Sequence, residues 1–185
     1  MDTRFQLMNK DRLVADLHVN NSCAYIKAIY GPLPPVMRDI QVWIDDRTSP
    51  FGRANINMLL KLAHIDNKIE YLSITKALSL NDTLWINDME RPTTWAKVSP
   101  YRNKLSRIMS EVALNNYYNG GNLRSPSPDY KLDGAMDKCW KRADGKLQLV
   151  KCGGEKYSGI TGNGPYMEYY VSQVAEQLGI KDFVR

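Results

Sequence analysis

The N-terminal part of the chain places apolar residues in short runs that alternate with polar residues. These runs cover Phe5–Met8, Arg12–His18 and Ala24–Tyr30. Period-two alternation, with Asn20-Asn21-Ser22 as a turn, predicts a set of short β-strands. Gly31-Pro32-Leu33-Pro34-Pro35 predicts a loop, because proline has no amide donor for a strand ladder. We expect Asp39–Ile44 to resume the sheet.

The middle of the chain switches to helical spacing. Two apolar stripes recur at intervals of three and four residues, one formed by Ile56, Leu59, Leu60 and Ala63, the other by Leu105, Ile108, Met109, Val112 and Ala113. They predict amphipathic helices, the first beginning after Ser49-Pro50 and the second running over Lys104–Tyr118 to a stop at Asn119-Gly120-Gly121. Between them, Tyr71–Leu80 predicts a short helix or strand, which a polar break separates from the apolar Thr83–Ile86.

Glycine, serine, proline and asparagine accumulate over Asn119–Lys131, where apolar residues nearly vanish. This composition predicts a linker. A chain of 185 residues can bury the core of one large domain or of two small ones, and the linker favours two. We therefore expect an α+β fold: a small accessory domain over residues 1–120, followed over residues 121–185 by an antiparallel β-sheet with one helix.

The composition argues against several classes of protein. Hydrophobic residues make up 43% and charged residues 24%, as in globular proteins. No apolar run approaches the roughly 18 residues of a membrane span, and Met1–Phe5 does not begin a signal peptide, which predicts a cytoplasmic protein. Three cysteines without a CxxC pair, and only two histidines, predict neither a disulfide framework nor a metal site. The net charge of +5 is scattered, so an ordinary solvated surface is the alternative to a nucleic-acid interface.

The clearest local pattern is a hairpin. Cys139–Arg142 and Leu147–Cys152 flank Asp144-Gly145, a turn that requires positive φ angles. With these two residues at its centre, Lys138 lies opposite Lys151, and two like charges across a ladder cost stability. A bound anion such as phosphate would remove this cost. Alternatively, both amines extend into water, or a bulge shifts the register.

A helix follows the hairpin after a glycine-containing loop. Pro165 opens it, Tyr166–Leu178 forms it and Gly179 ends it. Its apolar stripe consists of Met167, Val171, Val174 and Leu178. Glu168 stands beside this stripe in the first turns, where a negative charge also suits the helix N-terminus.

The order of these elements is that of a protein-kinase N-lobe. There, a glycine-containing loop precedes a hairpin whose last strand carries a lysine that binds nucleotide phosphates, and a glutamate on the next helix holds that lysine. In this chain the pair would be Lys151 and Glu168.

Four segments make the likeness specific: Ser125-Pro126-Ser127-Pro128, Asp133–Trp140, Leu149–Gly154 and Pro165–Tyr170. With them the chain resembles the HipA-like serine/threonine kinase family, and Ala77–Ile86 resembles a stretch that precedes the kinase core in bacterial and mobile-element members. The resemblance implies ATP as the ligand. Its phosphate loop would be formed by Gly134, Ala135, Met136 and Lys138, with Lys151 as the nucleotide lysine and Glu168 as its partner. Gly134 stands alone here rather than in a GxGxxG motif.

The family phosphorylates serine or threonine on proteins and belongs largely to toxin–antitoxin systems, so the resemblance implies that activity. A kinase also needs a catalytic-loop aspartate and a magnesium-binding aspartate after the helix glutamate. His64-Ile65-Asp66 and Asp182-Phe183-Val184 imitate these motifs in the wrong order and spacing. We therefore expect the N-terminal part of such a kinase, inactive alone and holding Mg²⁺ only with a C-lobe. Its partner would be a C-lobe half, an antitoxin or a host protein.

The alternative is a regulatory or interaction protein, encoded by a phage or mobile element, with a degenerate N-lobe. Four tryptophans would then be either interface anchors or core residues: Trp43, Trp85, Trp95 and Trp140. Ser125 and Ser127 resemble serines of the family's loops and are candidate phosphorylation sites, because added charge would compete with a nucleotide for Lys138 and Lys151. The alternative for these serines is an ordinary Ser-Pro linker.

Overall fold

The computed structural model describes residues 2–37, 39–48, 56–115, 117–134, 137–152 and 163–180. Its larger sheet has four antiparallel strands, β1 (Thr3–Asn9), β2 (Arg12–Val19), β3 (Ala24–Ile29) and β4 (Leu84–Asp88). Their order across the sheet is β3-β2-β1-β4. The three strands expected near the N-terminus are therefore confirmed, and the apolar segment after Asn81-Asp82 becomes the fourth.

One face of this sheet is buried beneath two helices, α1 (Ile40–Thr48) and α3 (Lys68–Thr75). Phe5 and Leu7 of β1 are completely buried, as are Leu17 of β2 and Ile86 of β4. Period-two alternation puts the apolar residues of each strand on the same face. Leu72 of α3 packs into the same cluster.

Helix α1 corrects the expectation that Asp39–Ile44 continues the sheet. The Asp39 carboxylate accepts the backbone N–H of Gln41 at 2.8 Å, which satisfies an otherwise unpaired donor at the start of the helix. Ile40, Trp43 and Ile44 are buried at helical spacing. Over so few residues the same apolar positions fit either period, and the cap decides between them.

Two further helices, α2 (Ile56–Leu62) and α5 (Arg107–Asn115), form a second core. Both lie within the predicted amphipathic segments, whereas Ser49-Pro50 is outside the described residues. This core also buries Leu123 and Tyr130 from the segment expected to be a linker. That expectation was wrong for residues 123–131, because a 3-10 helix (Pro128–Lys131) packs against α5 and fixes the chain there. The division at residue 120 stays a prediction.

A third apolar cluster surrounds the short helix α4 (Trp95–Val98) and contains Trp85 and Leu78. Trp43, Trp85 and Trp95 are at most 3% exposed, so these three tryptophans are core residues. Trp140 is half-buried. None of the described helices combines the length and the apolar character needed to cross a membrane.

The smaller sheet is the expected hairpin of β5 (Lys138–Ala143) and β6 (Lys146–Lys151), and α6 (Gly164–Gln177) follows it. The hairpin packs against α5 through β5, where Cys139 is completely buried. None of the α6 side chains that the structure describes is buried. The α+β class is therefore confirmed, with helix α6 as its most exposed element.

Candidate functional site

The hairpin turn has the geometry that Asp144-Gly145 predicts. Both residues have positive φ angles, 50° at Asp144 and 74° at Gly145. In the resulting register, Lys138 pairs with Lys151 at the open end of the hairpin. The predicted register is confirmed, and it places two lysines side by side next to the connection to α6.

Lys151 and Glu168 form a two-pronged ion pair between β6 and α6. The Lys151 ammonium lies 2.8 Å from each carboxylate oxygen of Glu168. The side chains are 32% and 56% exposed, so water screens the pair and it contributes on the order of 0.2–1 kcal/mol to stability. Its main physical effect is to fix the direction of a long, otherwise mobile lysine.

Lys138 is held by the loop that precedes β5. Its ammonium donates to the backbone carbonyl of Asp133 at 2.6 Å. Gly134 has a φ of +94°, which disfavours any residue with a Cβ atom, and a Cβ there would lie 2.9 Å from the Lys138 ammonium. The Lys138 ammonium therefore lies beside Gly134, and the role of both residues in a phosphate loop stays a prediction. Ala135 and Met136 of the expected phosphate loop lie outside the described residues.

Each of the paired lysines has a partner within the chain. Glu168 balances Lys151, and the Asp133 carbonyl accepts from Lys138. A bound phosphate is therefore not needed to relieve repulsion across the hairpin, and the argument for a phosphate rests instead on what these groups present. The Lys138 ammonium beside the exposed Gly134, together with Lys151 on the opposite strand, forms a donor set that suits phosphate oxygens.

Asp129 connects this site to the rest of the fold. Its carboxylate is completely buried, accepts the backbone N–H of Trp140 at 2.7 Å and accepts the Ser127 hydroxyl at 2.9 Å. Ser110 of α5 adds a hydroxyl bond to the Trp140 carbonyl. Sequence reasoning missed Asp129 because it stood in a presumed linker; the signal was Ser127-Pro128-Asp129, a serine cap followed by proline and an acid.

The two candidate phosphorylation sites have different surroundings. Ser127 is 2% exposed, and its hydroxyl binds the Asp129 carboxylate, so a phosphate there would place two anions together in a buried position. Ser125 is only half-buried. In this conformation the burial excludes modification of Ser127, whereas modification of Ser125 stays a prediction.

Of the two segments that imitate catalytic motifs, His64-Ile65-Asp66 has an ordinary structural role. His64 has a φ of 51° and terminates α2, and its carbonyl accepts from Arg124. Asp182-Phe183-Val184 is outside the described residues. Within the described ranges, no three His, Cys, Asp or Glu residues come together in a group that could hold a metal ion.

Comparison of the chain with family models, with curated proteins and with solved structures found no match.

Proposed function

We propose that this chain is the N-terminal part of a HipA-like protein serine/threonine kinase and that its hairpin and α6 supply the half of the ATP site that binds phosphates. One observation carries the proposal: the Lys151 ammonium meets both oxygens of Glu168 at 2.8 Å. A strand lysine held by a helix glutamate is the device with which protein kinases grip the nucleotide phosphates.

The residues present suit the phosphates of ATP. Lys151 would act as a point charge on the phosphates, with Glu168 holding it in place. Lys138 and the backbone around Gly134, which is exposed, would line the loop beside them. ATP itself supplies the phosphoryl group that a kinase transfers. The magnesium ions would need acidic residues of a C-lobe.

Catalysis by this chain alone is not part of the proposal. A kinase also needs a catalytic-loop aspartate and a magnesium-binding aspartate, which the proposal assigns to a C-lobe. The partner in this proposal is a protein: a C-lobe half, an antitoxin or a host protein. The proposed compartment is the cytoplasm, where thiols stay reduced, and the three cysteines of the chain are free.

A second function, a regulatory or interaction protein, is favoured by the surface of α6. Tyr166, Tyr169 and Tyr170 are each more than 60% exposed, and the apolar stripe beside them is exposed as well. Exposed apolar surface of this extent is typical of protein–protein contacts. In this alternative the N-lobe is degenerate, and α6 binds an antitoxin, a host protein or a partner kinase.

Calorimetric titration with ATP separates the two functions. Lys151→Ala removes a charge-assisted contact of about 1.5–3 kcal/mol, which predicts roughly 10- to 100-fold weaker binding. Lys146→Ala removes an equally charged, exposed lysine from the other end of the hairpin and should leave the affinity unchanged. Equal affinities of the wild type and Lys151→Ala would remove the lysine assignment.

A charge swap separates the pair's structural role from phosphate binding. In Lys151→Glu/Glu168→Lys the ion pair can re-form, so hydrogen exchange in α6 should stay as in the wild type. The strand position now carries a negative charge, so ATP binding should be lost. ATP binding that survives the swap contradicts the proposal. A wild-type chain that binds no ATP leaves the interaction protein as the better reading.

A further inference from the structure

A cleft of about 210 Å³ shares no lining residue with the hairpin–helix site. One wall is the end of α4 with its connection to α5, and it includes Lys97, Ser99 and Lys104. The other wall is the Ser-Pro segment, which contributes Ser125 and Pro126. The packing of residues 123–132 into the second core holds this second wall in place.

Ser99 gives the cleft an unusual group. Its side chain is completely buried, and its hydroxyl has no hydrogen-bond partner in the part of the chain that the structure describes. A buried polar group without a partner costs on the order of 1–3 kcal/mol. The Ser99 backbone is tied down, since its carbonyl accepts from the amide and the side chain of Asn103. The Ser99 backbone is therefore held in the cleft wall, and no described residue binds its hydroxyl.

The charge around the cleft is positive. Lys97 and Lys104 are exposed and form no ion pair with any described residue, and no acidic residue is among those that line the cleft. Asp129 follows the lining residue Pro128, but it is buried and its oxygens bind Ser127 and Trp140. Helix α5 also begins at the cleft, and its N-terminus adds a partial positive charge.

We propose that this cleft binds a phosphate monoester. Two ammonium groups balance a dianion, and the Ser99 hydroxyl and the half-buried Ser125 hydroxyl are donors for its several oxygens. A carboxylate has one charge and two oxygens, and it would leave part of this donor set unused. The proposal is independent of the ATP site, because the two sites share no residue.

The surface next to the cleft indicates where the group that carries the phosphate would lie. A shallow groove of about 440 Å³ shares Lys104 and Leu105 with the cleft and continues past Trp140, Lys141 and Arg142. When the phosphate of a phosphorylated serine or threonine occupies the cleft, the rest of the peptide would lie along this groove. A free phosphate would fill only the cleft, so a phosphorylated peptide should bind with higher affinity than free phosphate.

The test is carried out on the full chain in a Lys151→Ala background, which removes the expected phosphate contact of the ATP site. Inorganic phosphate and a phosphoserine peptide are titrated, and the backbone amide signals of Ser99 and Ser125 are followed by NMR. Both ligands should shift these signals in a saturable way. A peptide that binds about tenfold more tightly than phosphate identifies a protein source, and equal binding identifies free phosphate.

Matched variants assign the contacts. Lys97→Ala/Lys104→Ala should weaken binding at least tenfold, whereas Lys61→Ala/Lys146→Ala, which removes two exposed lysines elsewhere, should not change it. Ser99→Ala should weaken binding several-fold while Tm stays equal or rises, because a buried unpaired hydroxyl disappears.

Several results would overturn the proposal. These are no saturable shift of either signal, equal binding by all variants, and a single-stranded oligonucleotide that displaces phosphate from the cleft at lower concentration than the peptide does. The last result would point to phosphodiesters of nucleic acid instead. ATP binding by the wild type is measured separately, so failure here leaves the proposed function untouched.

Discussion

The body of the molecule, residues 2–132, and helix α6 both contain helices with an apolar stripe, but they differ in what covers those stripes. In the body, Leu72 and Ile86 are completely buried. In α6, the predicted stripe residues Met167, Val171, Val174 and Leu178 are between 53% and 72% exposed. The hairpin is intermediate, because β5 is packed against α5 and β6 has half-buried and exposed side chains but none that is buried.

This difference shows what an amphipathic pattern can establish. The pattern predicts a helix and the side that prefers to be covered, but it does not identify the covering surface. The proposed chemistry lies at the junction of the open hairpin and the uncovered helix. Elements that bind ligands and move are commonly those with the least stabilising burial, so the junction is where a partner would have the largest effect on order.

The comparison is tested most strongly by two leucine substitutions of identical chemistry. Leu72→Ala leaves a cavity in a closed core and should lower the free energy of unfolding by about 2–5 kcal/mol. Leu178→Ala should change the free energy of unfolding by less than about 0.5 kcal/mol, because the Leu178 side chain is 72% exposed. Urea denaturation followed by tryptophan fluorescence measures both. Equal losses would mean that α6 is covered in solution and would remove the contrast.

The next largest effect concerns the bond between body and hairpin. Asp129→Ala leaves the Trp140 amide and the Ser127 hydroxyl without their acceptor, which should cost about 1–3 kcal/mol. Hydrogen exchange should rise in β5 and β6 more than in β1–β4. Asp129→Asn keeps one acceptor oxygen and should lose less. A uniform rise over all strands would show that the hairpin is no separate region.

Some of the fold could be predicted from the sequence, where neighbouring residues decide the structure. The first three strands and the hairpin register are of this kind, since alternation and an Asp-Gly turn are local. The meeting of Lys151 with Glu168 was expected on another ground, the order of elements in a protein-kinase N-lobe. The expected lysine–glutamate contact is present, while its role in nucleotide binding stays a proposal.

Other features depend on contacts distant in sequence and could not be predicted in this way. The Tyr130 ring is buried because Tyr71, far earlier in the chain, packs against it and donates to its carbonyl at 3.1 Å. A serine-rich segment therefore became a wall of the core rather than a linker. The unpaired hydroxyl of Ser99 likewise exists only in the folded state, where the cleft encloses it.

A smaller effect is expected from pH at the point where this segment is tied to α3. The Arg124 guanidinium lies 2.5 Å from the Glu70 carboxylate, and this hydrogen bond holds the pKa of Glu70 below its ordinary value. The folded state therefore binds the Glu70 proton less tightly than the unfolded state. The stabilisation is present above the unfolded pKa and is lost as pH falls through the lowered one.

Arg124→Met measures this contribution. The variant should be less stable than the wild type at neutral pH. The share of this stability difference that disappears on acidification should be below about 1 kcal/mol, because the ion pair is partly solvated. In Glu70→Gln the effect of Arg124→Met should no longer depend on pH. Urea midpoints at neutral and acidic pH provide the values, and a gap that widens on acidification contradicts the sign.

The smallest perturbation is chemical labelling, which reports packing through rates rather than stability. Burial, with the nearby Asp129 charge, raises the pKa of the Cys139 thiol, and its side chain is completely enclosed where β5 meets α5. Cys23 is exposed, so iodoacetamide should modify it first and Cys139 last. Peptide mapping by mass spectrometry measures the order. Asp129→Ala should raise the modification rate of Cys139 without altering that of Cys23, because the substitution releases only the hairpin. Equal modification rates at both cysteines in the wild type would mean that the hairpin is as open as α6.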